Sequence, residues 1–263
     1  MGYRNNQTGY PKSALHSRSV IKKNEYALID VDGTVKNTIP GFVGCDITIL
    51  ASPKMGASFV DYVATVHPGG GNRTGFGDDG IECLLYVFSG ELYVQVGGKE
   101  AALTAGGYAF SSPLETLCFE NRSQNPAEIL LYKRRYKPAK GVGMPASIIG
   151  NAHDLEVIAY EGMKEVSFCS FLPTENLSYD MNFHILSFEA GASHGYVETH
   201  VQEHGAYVYS GAGMYNLGNE WMPVVKGDYL FMASYVQQAA YGTSTDEPFA
   251  YIYSKDCNRD EDI

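Results

Sequence analysis

Laid over itself at a displacement of 121 residues, the chain matches itself: Tyr86-Val87-Phe88-Ser89-Gly90 falls on Tyr207-Val208-Tyr209-Ser210-Gly211, Gly70 on Gly191, and Tyr132 on Tyr253. Gly107 meets Gly227 at a displacement of 120, so one residue was gained or lost between the copies. A period this long exceeds a solenoid unit and suits two copies of a whole domain. With 263 residues, 44% of them hydrophobic, the chain has enough material for two cores.

Each copy carries short runs rich in Val, Ile, Tyr and Phe, bounded by Gly, Asn, Ser and Pro, which is the pattern of antiparallel strands. Such runs are Phe59 to Val66, Leu84 to Phe88, Glu91 to Val96, Phe183 to Phe188, Ala206 to Tyr209, Tyr229 to Met232 and Phe249 to Tyr253. Helical periodicity is weak everywhere; Asn151 to Tyr160 reads as a short helix or connector. The basic stretch Lys133 to Lys140, with Pro138 and Gly141, marks the join. The expectation is therefore an all-β protein of two tandem domains, 1–150 with an N-terminal extension and 151–263, each a closed or rolled sheet that protects its edges.

Charge and cysteine usage narrow the function. A net charge of −11 repels nucleic acid and anionic membrane surfaces. The five cysteines are scattered and never form a CxxC pair, which argues against a disulfide framework and a zinc ribbon and suits a reducing compartment. No stretch approaches a membrane span. The N-terminus lacks an apolar leader core, and Asn6 stands where a myristoylation motif wants Ser or Thr. A soluble, cytoplasmic protein is expected.

The second copy carries the chemistry. In Glu198-Thr199-His200-Val201-Gln202-Glu203-His204, residues two apart on an extended chain share a face, so Glu198 and His200 project together and His204 joins them if the strand continues. Gln238 follows the turn Lys226-Gly227-Asp228, at the distance where a returning jelly-roll strand brings a side chain back into the barrel. Two imidazoles, a carboxylate and a carboxamide make a mixed nitrogen and oxygen site. Without thiolates, this set favours Mn(II) or Fe(II) over structural zinc and leaves positions open to substrate.

These residues also carry a resemblance. The pattern Gly191-x6-Glu198-x-His200-x3-His204-x6-Gly211, then Pro223-x3-Gly227-Asp228 and Gln238, resembles the two cupin motifs. Ordinary cupins place His first, Glu third and His last, where Glu198, His204 and Gln238 stand here. With SHGYVETHVQEHGAYVYSG, MNFHILSF, YEGM and YIYSKDCNRD, the chain resembles the bicupin family of bacterial (S)-ureidoglycine aminohydrolases over essentially its whole length. The resemblance implies two jelly-roll barrels, Mn(II) or another divalent ion as cofactor, and a homo-oligomer. It also implies release of ammonia from a carbon bearing amino, ureido and carboxylate groups, leaving (S)-ureidoglycolate, late in allantoin and purine catabolism. Lys255, Tyr215 and Tyr251 become candidates for pocket contacts, Lys255 pairing with the substrate's carboxylate.

Displaced by 121, the ligand positions of the second copy land on Gly77, Asp79 and Cys83, and Gln238 lands on Leu117 or Cys118. The first copy is expected to keep the barrel without the ligands. Its glycine-rich run Gly69 to Gly77 lacks the ending of a phosphate loop and reads as a flexible connection. Asp30-Val31-Asp32-Gly33-Thr34 mimics a phosphatase nucleophile motif but reads as a turn in an antiparallel chain. His194 is expected to be exposed in a loop, His184 to be a hydrogen-bonded core residue, and Glu203 to make a structural contact. Two other functions use the same features: an oxygen-consuming or oxalate-degrading metal cupin, and a non-catalytic ligand-binding bicupin.

Overall fold

In a computed structural model, residues 2–5, 17–261 and 263 are described; Asn6 lies outside them. The described residues are all-β, with two three-residue 3-10 turns, and divide into two compact units. The first gathers residues 35–54 and 58–154, together with 2–5; the second gathers 17–34, 55–57 and 155–261. Every expected run is a strand, most of them longer than the apolar pattern alone suggested.

In the second unit an eight-stranded antiparallel sheet runs in the order Val20–Lys22, Tyr26–Ile29, Tyr229–Met232, His204–Ser210, Phe249–Asp256, Met181–Phe188, Met163–Ser170, Ile158–Tyr160. A three-stranded sheet is made of Glu220–Val225, Ala212–Leu217 and Gln238–Gly242. One core binds the two sheets: Leu186, Phe188, Val208, Leu230 and Phe249 from the larger meet Tyr215, Leu217, Val224 and Ala240 from the smaller. This is the rolled sandwich that alternating patterns and Gly turns imply.

The expected domain division differs here: the first unit runs to Asp154, and two segments before it belong to the second unit. Strands Val20–Lys22 and Tyr26–Ile29 belong to the second unit, where Tyr26–Ile29 pairs with Tyr229–Met232. The link is polar as well. Asp228, fully buried, accepts from both Arg18 guanidinium nitrogens at 2.7 and 2.8 Å and from the backbone N–H groups of Val31 and Val225. The Asp30 motif is a 3-10 turn, with the Asp30 side chain accepting from the Asp32 N–H at 3.2 Å and from Arg18 at 3.1 Å. Removing one partner from a buried, multiply bonded charge leaves the rest uncompensated. Asp228→Ala is expected to cost about 3 kcal/mol in urea or thermal unfolding, discounted for the partly exposed Arg18. A change under about 0.5 kcal/mol, the size of an ordinary surface substitution, would contradict this anchoring.

In the first unit one long strand, Phe59–Phe76, runs through a nine-stranded sheet. Its first half pairs with Ala127–Arg135 and Val43–Ala51, and its far end with Leu117–Glu120. The glycine-rich run is thus strand rather than a flexible connection. Gly71 pairs with Glu120 so closely that a Cβ would overlap the Phe119 carbonyl, so the bend needs glycine there. Of the two readings of 151–160, a short helix or a connector, the structure has a connector: Ala152–Asp154 forms a 3-10 turn, and Ile158–Tyr160 is an edge strand. All five cysteines are free, and no helix among the described residues is long and apolar enough to cross a membrane.

Candidate metal centre

Three segments of the second unit converge on one cavity. Residues 189–203 leave the strand Met181–Phe188 as an extended loop held to Gln238–Gly242 by isolated bridges Ser193↔Tyr241 and Glu198↔Gln238. Glu198 and Gln238 exchange both backbone N–H···O=C bonds at 2.9 Å, which fixes their side chains side by side. His204 opens its strand between Met232 and Lys255. On the last strand the period of two turns Tyr251, Tyr253 and Lys255 to one face. Glu198, His204, Gln238, Tyr251, Tyr253 and Lys255, with Tyr160, His194, His200 and Tyr215, line a small cavity.

The two imidazoles are fixed in orientation. His204 Nδ1–H donates to the Ser254 carbonyl at 2.8 Å, and His200 Nδ1–H to the Gln202 carbonyl at 3.1 Å. Burial holds both rings below their usual pKa, with repulsion from Lys255 adding to it and, for His204, from His200 as well. Both are therefore neutral with a lone pair on Nε2, the form that binds metals. Those two Nε2 atoms face one another at 3.1 Å, and the Gln238 carboxamide nitrogen lies 2.7 Å from His200 Nε2. Turned over, the same carboxamide presents its oxygen there instead.

Two lone pairs pointing at each other repel unless a cation lies between them, and two nitrogens each about 2.1 Å from one ion stand roughly 3 Å apart. The donors present fit a divalent ion. Among the described residues no three His, Cys, Asp or Glu side chains close on one point; two imidazoles and one carboxamide do, and Glu198 stands in the same wall. Burial raises the Glu198 carboxyl above its usual range, and the nearby Lys255 opposes that shift. Glu198 thus needs a positive charge to stay ionised cheaply.

Tyr215 and Tyr251 lie in the wall with rings 5.6 Å apart, and the Tyr215 hydroxyl donates to the Gln238 carboxamide oxygen at 3.4 Å. Burial raises both phenols, which remain neutral donors. Lys255, half-buried, has no ion-pair partner among the described residues. His184 is a core residue, its Nδ1 bonded to the Ser170 hydroxyl at 2.9 Å. Glu203 donates its backbone N–H to Asp256.

His194 departs from the expectation. It is half-buried rather than exposed, packs edge-on to Phe188 with ring centroids 5.1 Å apart, and burial lowers its pKa to about 4. Tyr160 was not foreseen in the site because its edge strand reads as a connector. Tyr253 was visible only as a repeat anchor.

The first unit has apolar side chains at most of the corresponding positions. By strand register, Phe76↔Leu117 corresponds to Glu198↔Gln238, and Cys83 between Ser111 and Lys133 corresponds to His204 between Met232 and Lys255. The counterpart of Glu198 is thus Phe76, one residue before the expected Gly77. An extra residue in the turn before Ile81–Ser89 displaces the two registers. Phe76, Cys83 and Leu117 are buried together in the core, where burial pushes the Cys83 thiol up. Lys133, at the place of Lys255, lies over the rings of Phe76 and Tyr62 at 5.5 and 5.8 Å.

No family model matches the chain. It is 56% identical over all 263 residues, and over the full length of the relative, to the (S)-ureidoglycine aminohydrolase of Escherichia coli strain K12. Among solved structures, the E. coli protein Ylba is 52% identical, with a TM-score of 0.86 over 97% of this chain and all of that one. A mutant of Bacillus subtilis oxalate decarboxylase is 10% identical but superposes with a TM-score of 0.70 over 99% of this chain and 88% of its own, a likeness of fold alone.

Proposed function

The chain belongs to the (S)-ureidoglycine aminohydrolases, a family of hydrolases, and on that premise we propose that the second unit's cavity converts (S)-ureidoglycine to (S)-ureidoglycolate and ammonia. The observation that supports this site is the pair of fixed, neutral imidazoles facing each other beside Gln238 and Glu198. Glu198, His200, His204 and Gln238 would hold a divalent ion, Mn(II) first among the candidates. Such an ion supplies Lewis acidity and positive charge to the substrate.

The chain's own residues account for binding and orientation. Gln238 is neutral, so Glu198 is the one anionic donor, and a dication there keeps about one net positive charge. The site therefore favours an anionic substrate, and the Lys255 ammonium receives its carboxylate against the repulsion of an acidic protein. The neutral hydroxyl of Tyr215 positions the Gln238 carboxamide, and that of Tyr251 beside it would contact the polar groups around the reacting carbon. There the bond to the amino group breaks and a hydroxyl from water replaces it. The water's remaining proton leaves with the amine as ammonia, so no redox change is needed.

This reading includes a small-molecule substrate only, a place in purine and allantoin nitrogen recovery, a homo-oligomer and a cytoplasmic setting, which five free thiols suit. It also assigns the first unit a scaffolding role, in keeping with its apolar counterpart positions. Purified protein is expected to release ammonia from freshly generated (S)-ureidoglycine well above the spontaneous rate, without consuming oxygen. Chelation should abolish the release and Mn(II) restore it. Ammonia at the spontaneous rate, or oxygen uptake matching turnover, would contradict the reading.

A further inference from the structure

Given the aminohydrolase reading, on which this rests, we propose that His194 is a substrate-contacting, specificity-determining residue whose Nε2–H donates to the ureido carbonyl oxygen. Nδ1 of the His194 ring accepts the Ala240 backbone N–H at 2.8 Å, while the His194 backbone N–H donates to the Ala240 carbonyl at 2.9 Å. Ring and backbone are thereby locked to the strand Gln238–Gly242. With Nδ1 an acceptor, the neutral ring carries its proton on Nε2. That nitrogen is buried and meets no hydrogen-bond partner among the described residues. A buried, fixed donor without a partner calls for an acceptor from outside the chain.

The position of the ring says which acceptor. His194 lines the metal cavity and also an adjoining one, whose wall includes Met163 and Tyr196; Tyr160, His194 and Glu198 belong to both. A molecule reaching from the centre into the adjoining cavity therefore passes His194. The donor is uncharged, so it suits a neutral acceptor, whereas the carboxylate has a cation in Lys255. In a molecule bearing amino, carboxylate and ureido groups, the remaining strong acceptor is the ureido carbonyl. A site built around such a donor rejects analogues that lack the acceptor, because the donor is then left unpaired.

Two variants and one stable probe test this. His194→Asn keeps an acceptor near Nδ1 for the Ala240 N–H and removes the outer donor, whereas His194→Gln keeps an N–H near Nε2. The probe is N-carbamoylglycine, which has the carboxylate and ureido groups but no amino group to release; acetate lacks the ureido group. Calorimetry on the Mn(II)-loaded protein is expected to show His194→Asn binding N-carbamoylglycine about 10- to 100-fold more weakly than wild type. Acetate binding, metal content and melting temperature should hardly change. His194→Gln should recover much of the loss, and kcat/KM for (S)-ureidoglycine should follow the same order. Equal affinity of wild type and His194→Asn for N-carbamoylglycine, with wild-type turnover intact, would overturn the role of His194 alone. Absence of wild-type turnover would instead remove the reading beneath it.

Discussion

His204→Ala is expected to lose both the bound metal and the catalysed release of ammonia, with turnover down by roughly three orders of magnitude or more. His204 is buried, its tautomer is set by the Ser254 carbonyl, and its free nitrogen faces His200 at 3.1 Å. Alanine leaves no donor at that point. Mutation of an outer hydrogen-bonding partner of a metal ligand already costs about 10- to 100-fold, so loss of a ligand itself should cost more. Cys83→Ala in the first unit is the matched control, since Cys83 holds the corresponding place on its strand, buried in an apolar core. It should cost about 1 kcal/mol of stability and leave metal and turnover nearly intact. Elemental analysis and the ammonia assay on both proteins decide the matter; equal losses in the two would contradict a division of labour between the units.

Lys255→Met carries the second largest expected effect, a fall in kcat/KM of about 100-fold or more, expressed mainly in KM, with metal content unchanged. Lys255 is the cation facing Glu198, His200 and His204, and Coulombic repulsion from it lowers the proton affinity of both imidazoles. Truncating one partner of a desolvated charge pair costs 2–5 kcal/mol, which sets the scale. Methionine keeps the length and packing of the stem and removes the charge. Steady-state kinetics at fixed Mn(II) would test this; an unchanged KM would move substrate recognition away from Lys255.

Much of the site was legible because its residues lie on regular elements. The alternation in Phe249–Asp256 places Tyr251 and Lys255 on one face, and the turn at Gly227, with φ of +95°, returns the chain toward Gln238. What was not legible depended on distant pairing or on burial. Strands Val20–Lys22 and Tyr26–Ile29 join the second unit through a partner some 200 residues later, which no local pattern announces. His194 lies in a Gly-flanked loop, where exposure is the ordinary outcome; Phe188 and Tyr160 cover it instead. The extra residue before Ile81–Ser89 hid Phe76 as the counterpart of Glu198, and only the Phe76↔Leu117 pairing reveals it. Lys133 as the counterpart of Lys255 was available from sequence alone at a displacement of 122 residues.

Anomalous scattering from crystals grown with Mn(II) would locate the ion directly. The expected map has one strong peak in the second unit, bonded by Glu198, His200, His204 and Gln238, and none in the first unit beside Cys83. A peak that leaves any two of those four side chains unengaged, or one housed in the first unit, would contradict the account.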